Sequence, residues 1–151
     1  MIKPFEYYIN EKLVRKSVPN ISMAKSLLQK SEIRLKRVKN EKITEENSSI
    51  LFEDIYEILR ESSQSLMEIK GFKPYSHEAL VSFLKDYKLI SDENANIIDN
   101  YRALRNNSVY KAEKVSMQKC EEALNFLRKM LPEIKSKFDE ITSLNITGGK
   151  K

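Results

Sequence analysis

Residues 116–144 read SMQKCEEALNFLRKMLPEIKSKFDEITSL, and this stretch decides the fold. Cys120, Leu124, Leu127, Leu131, Ile134, Phe138 and Ile141 follow one another at alternating spacings of 4 and 3. That is helical period held from end to end, and a stripe so long is stable only when other helices cover it. Ser116 predicts the N-cap. Pro132 breaks the hydrogen-bond ladder at the carbonyl of Arg128, so a kink or a split is expected there. Cys120, on the apolar stripe, reads as a small core residue.

Upstream, the same period returns. Ile21, Ala24, Leu28, Ser31, Leu35 and Val38 form a stripe over residues 21–39, opened by Asn20 as N-cap. Leu51, Ile55, Ile58, Ser62, Leu66 and Ile69 form the next, with Thr44 as its cap and Gly71 as its C′ residue. Ser62 and Ser63 are small residues in mid-helix, where another helix can approach closely; a solvent-facing position suits at least one of them. Ser76 opens a helix to about Leu89, with Leu80, Phe83, Leu84 and Tyr87 facing inward. Ser91, with Asp92 and Glu93 in the first turn, opens another to about Asn107. A first helix over residues 4–17 carries Phe5, Tyr8, Ile9 and Leu13.

Gly and Pro number only 3 and 4 among 151 residues, too few for the turns of a sandwich, barrel or propeller. Short connections between amphipathic helices predict an all-α, antiparallel bundle of four to six helices. It forms a single domain over residues 1–144, with a disordered tail at 145–151. A chain of about 150 residues buries enough surface to fold without a staple.

The same counts remove several chemistries. One Cys and one His, Cys120 and His77, leave no disulfide, no multi-Cys zinc site and no HExxH motif. No glycine-rich phosphate loop occurs, and neither a metal nor a cofactor is expected. No apolar run approaches a membrane span or a signal-peptide core, so a cytoplasmic protein with no membrane partner is expected. The 27 Lys and Arg exceed the 22 Asp and Glu, for a net charge of +5. Residues 30–42 hold Lys30, Arg34, Lys36, Arg37, Lys39 and Lys42 against Glu32 and Glu41. Such a run can track a phosphate backbone, and it is also what a solvated helix face looks like.

The chemistry concentrates in Tyr101 to Ser116, YRALRNNSVYKAEKVS. At about 100° per residue from Ile97, Leu104, Ser108 and Tyr101 cluster near the origin and Arg105 lies at about 80°, inside the apolar sector. Arg102 and Asn106, at about 140° and 180°, point towards solvent. An inward guanidinium needs a carboxylate, a subunit partner or an anionic ligand. An intrachain ion pair to the third or fourth helix is the structural possibility. Asn106 and Asn107 also fit a fraying helix end, and Tyr110 fits a packed aromatic with a wet hydroxyl.

Arg105-Asn106-x-x-x-Tyr110 on a bundle helix, followed by a Lys-rich turn and a capped final helix, resembles the HEPN domain family. The likeness extends upstream through Tyr75-Ser-His-Glu78 and Phe83-Leu-Lys-Asp86, about half the chain, and is greater to archaeal-type members than to the toxin branch. It implies a helical bundle, a homodimer, and a site at the dimer interface in which Arg and His cleave RNA without metal. Arg105 and Asn106 match that motif, whereas Tyr110 stands where the family has His. The Tyr that some toxins carry two residues later is Ala112 here. Implied partners are RNA or a nucleotide and, as in some members, a nucleotidyltransferase-type antitoxin.

Metal-free cleavage needs charge stabilisation, which Arg supplies, and proton transfer near neutral pH, which His supplies. Tyrosine, with an ordinary pKa of about 10, is a poor base but hydrogen-bonds phosphate and stacks on bases. The expectation is therefore an RNA- or nucleotide-binding protein, non-catalytic or weakly catalytic, from a toxin–antitoxin or RNA-processing system. Its site is Arg105, Asn106 and Tyr110, with Arg102, Lys111 and Lys114 contacting nucleic acid. One alternative is a ribonuclease in which Tyr110 or His77 replaces the usual histidine; another is a protein–protein module whose Arg105 is structural.

Overall fold

The helix at residues 48–70 is buried on most of its sides, which puts it at the centre. The computed structural model describes residues 2–149, with side chains through residue 144. Among them are six helices and one two-stranded ribbon: α1 (Phe5–Asn10), β1 (Val14–Lys16), α2 (Ile21–Lys39), α3 (Ser48–Lys70), β2 (Phe72–Pro74), α4 (His77–Asp86), α5 (Asp92–Lys111) and α6 (Met117–Gly149). The architecture is an all-α bundle. α2 and α6 pack against α3, and α4 and α5 also rest on it. The tail expected at residues 145–151 falls outside the side chains described. No helix among the described residues is long and apolar enough to cross a membrane.

The stripes of α3 and α6 land wholly in the core, and that of α2 does so at Ala24, Leu28, Ser31 and Val38. All six stripe residues of α3 and all seven of α6 are buried, Cys120 among them. Burial pushes the Cys120 thiol up to about 11, so it is a core atom and not a nucleophile. Asn20, Ser76, Ser91 and Ser116 each accept a hydrogen bond from the backbone N–H three residues on. Gly71 adopts φ +82° and closes α3 as its left-handed cap.

Several expectations need correction. The first helix stops at Asn10, because Lys12 takes φ +60° and the chain turns into a strand. β1 pairs antiparallel with β2, with Val14 opposite Pro74 and Lys16 opposite Phe72. The short stripe Phe5, Tyr8, Ile9 and Leu13 could not reveal a partner strand so far along the chain. Thr44 does not cap α3; Thr44 and Asn47 bond each other's backbone N–H in a closed turn, and the helix starts at Ser48. Ser62 and Ser63 are both buried, so neither faces solvent. Tyr87 lies beyond the end of α4 and is 42% exposed. α6 continues past Pro132 unsplit; Pro132 and Arg128 are both exposed, where water can serve the orphaned carbonyl. α5 runs on to Lys111 and ends with Ala112 at φ +54°, so Asn106 and Asn107 lie within the helix.

Candidate nucleic-acid interface

α3 is buried on most sides, and one line of its partly exposed residues is polar. Glu53, Glu57, Arg60 and Gln64 recur at spacings of 4, 3 and 4, and each is only partly exposed. This polar stripe has the same period as the apolar one, so it marks a second helix face. Ser108 of α5 donates to Glu53 Oε2 at 2.8 Å. Arg60 donates Nε to Glu57 Oε2 at 3.0 Å, Nη2 to Glu57 Oε1 at 2.5 Å and Nη1 to Gln64 Oε1 at 2.7 Å. That bidentate pair holds the Glu57 carboxyl below its ordinary range.

Tyr56, one residue before Glu57, joins the stripe to α4 and α5. Its hydroxyl lies 3.3 Å from His77 Nδ1, and the two rings are 5.9 Å apart. Burial pushes the Tyr56 hydroxyl up to about 12, so it stays protonated and can donate to the imidazole. Burial, and then the cations of Arg60 and Arg105, lower the His77 pKa below its ordinary 6.5, so the ring is neutral at pH 7.

The Arg105 guanidinium lies over the Tyr56 ring at 5.9 Å and over the Tyr110 ring at 6.0 Å. Its side-chain hydrogen bond goes to Asn106 Oδ1 at 3.2 Å. Among the described residues no carboxylate pairs with it.

The ion pair conceivable for Arg105 belongs instead to Arg102. Arg102 meets Asp99 at 2.8 Å and Glu78 of α4 at 3.7 Å, and its side chain is only 17% exposed. The expected solvent-facing direction of Arg102 is wrong for a geometric reason. The buried residues of α5 are Ala95, Ile98, Tyr101 and Ser108, which centres its inner face near Arg105 and brings Arg102 within it. Ile97 and Leu104, used as the centre of that face, lie at its edge and are half-buried. Tyr101 sets the orientation by meeting Phe52 edge-on at 5.6 Å.

The fold thus gathers Arg105, Asn106 and Tyr110 with His77, and adds Tyr56, Glu57, Arg60 and Gln64 of α3, which were not singled out from the sequence. The signal for the last group was the polar stripe of α3. Tyr110 is 75% exposed. Lys111 and Lys114 are exposed, at the end of α5 and in the loop after it. The basic run of α2 lies elsewhere and part of it is structural. Arg34 and Lys30 approach the buried Glu61 carboxylate at 2.6 and 3.5 Å, and the Arg34 contact is a charge pair without hydrogen-bond alignment.

Comparison with known proteins adds no relative: no family model, no curated protein and no solved structure matches this chain.

Proposed function

We propose that this protein binds single-stranded RNA along the groove where the polar stripe of α3 meets α4 and α5. The proposal follows the HEPN-like reading of Arg105-Asn106-x-x-x-Tyr110. Its support is the Arg105 guanidinium, flanked by the rings of Tyr56 and Tyr110 and free of any acidic partner among the described residues. An unneutralised guanidinium suits a phosphate, and an exposed tyrosine beside it suits a base. Lys111 and Lys114 extend the positive charge past the end of α5.

Fluorescence anisotropy with a labelled oligoadenylate octamer tests this. Arg105→Ala is expected to bind at least tenfold more weakly and to lower the slope of log K against log[salt] by about 0.7, one phosphate contact on a single strand. Its urea midpoint stays near the parent's, because no carboxylate is stranded. Arg102→Ala, which breaks the pair with Asp99 and Glu78, costs about 1 kcal/mol of stability. Unchanged binding in Arg105→Ala overturns the assignment.

One observation favours a second reading, a metal-independent ribonuclease: His77 shares the cluster with Arg105, and its ring is neutral and able to accept a proton. Single-turnover cleavage of a structured RNA in EDTA, lost in His77→Gln, is its expected signature.

A further inference from the structure

Beside His77, away from Arg105, a cleft of about 150 Å³ opens between α3 and the start of α4. Arg60, Gln64, Tyr75, Ser76, His77 and Leu80 line it. We propose that this cleft is a nucleobase pocket that selects guanine, reading the O6 and N7 acceptors with Arg60 and stacking the ring on Tyr75. The proposal rests on the RNA-binding reading and names the base beside the phosphate that Arg105 holds.

The chemistry of the walls carries the choice. Arg60 has five N–H groups and uses three, two on Glu57 and one on Gln64. One N–H remains on each terminal nitrogen, available to acceptors such as guanine O6 and N7. Gln64 receives the Arg60 bond through its carbonyl, so its amide donors are unspent. Ser76 accepts from Ala79 N–H and keeps its hydroxyl proton to give. Such a wall asks for acceptors, which guanine presents at O6 and N7; adenine puts an amino group where guanine has O6.

Charge separates this cleft from a second phosphate site. Glu57 already neutralises Arg60 through a bidentate pair, whereas Arg105 carries no counter-charge. A neutral base therefore fits at Arg60 and the anionic phosphate at Arg105. Tyr75 is 62% exposed, an open face for stacking, and its backbone is fixed by the bond from its N–H to Leu13 O at 2.8 Å. The Tyr56 ring lies 5.9 Å from the Arg105 guanidinium and 5.9 Å from the His77 ring, and so links the two.

The test compares three labelled octamers on the full chain: oligoadenylate, the same with one central guanosine, and the same with 7-deazaguanosine there. The guanosine octamer is expected to bind about tenfold tighter than oligoadenylate, and the deaza octamer, which lacks N7, to lose most of that gain. Arg60→Lys keeps the charge without the fork and is expected to erase the preference. Gln64→Leu reduces it, and Arg105→Ala weakens all three octamers alike. Equal binding of the three octamers by the parent protein, still dependent on Arg105, overturns the guanine pocket and leaves the RNA-binding reading standing. If none of the octamers binds, both fall.

Discussion

His77 illustrates how one residue's surroundings become a measurable property. Burial and the neighbouring Arg60 and Arg105 hold its pKa below the ordinary 6.5, so the unfolded chain takes up a proton that the folded chain refuses. Its contribution to stability is present above about pH 6.5 and is lost as pH falls through the lower folded value. The urea midpoint is therefore expected to drop between pH 7.5 and pH 5.5. Asp54, raised by burial, pulls the other way as it takes up its proton in the folded state, so the comparison needs a reference. His77→Gln supplies it: its midpoint changes less over that interval than the parent's. An equal change in both proteins removes His77 from the account. At this scale the sequence placed Arg105 inward correctly, while missing that Arg102 turns inward too.

At the scale of elements, the ribbon of β1 and β2 depends on how α3 ends. Gly71 reverses the chain at φ +82°, and its carbonyl accepts the N–H of Ser17 at 2.7 Å. A Cβ at position 71 lies 2.5 Å from the Ser17 carbonyl oxygen and 3.2 Å from Pro19 Cδ. Gly71→Ala therefore combines left-handed strain with a backbone clash, and a loss of about 2–4 kcal/mol is expected in urea or thermal melts. A loss below about 1 kcal/mol means that the segment around Ser17 and Pro19 yields without penalty. Tyr75 follows directly after β2, so the same substitution is expected to disturb the cleft. Gly71 was legible in the sequence as a helix stop; the strand that needs it was not, because its partner at residues 14–16 is distant along the chain.

Dimerisation belongs to the scale of the whole molecule. The core closes within one chain, and Arg105, Tyr56, His77 and Arg60 meet without a second copy. Val109 and Tyr110 nevertheless stand 42% and 75% exposed on the last turns of α5. The expected homodimer would cover Val109 about a two-fold axis and leave Tyr110 facing the groove. Sedimentation equilibrium at micromolar concentration is expected to give twice the 17.7 kDa chain mass, and Val109→Asp to return it to 17.7 kDa. A monomeric parent protein assigns the groove to a single chain.

Periodicity and composition determined the all-α class, the presence of all six helices though not the short length of α1, four of the N-caps and most of the core. These are set by local hydrogen bonding and by how often an apolar side chain returns to one face. The sequence also singled out Arg105, whose angular position depends only on its own helix. Tertiary structure alone decided what lies opposite: the carboxylates that engage Arg102, the Tyr56 ring under Arg105, and the histidine brought to it from α4. A helix fixes the directions of its side chains, but their neighbours come from contacts between distant segments, whose register only packing selects.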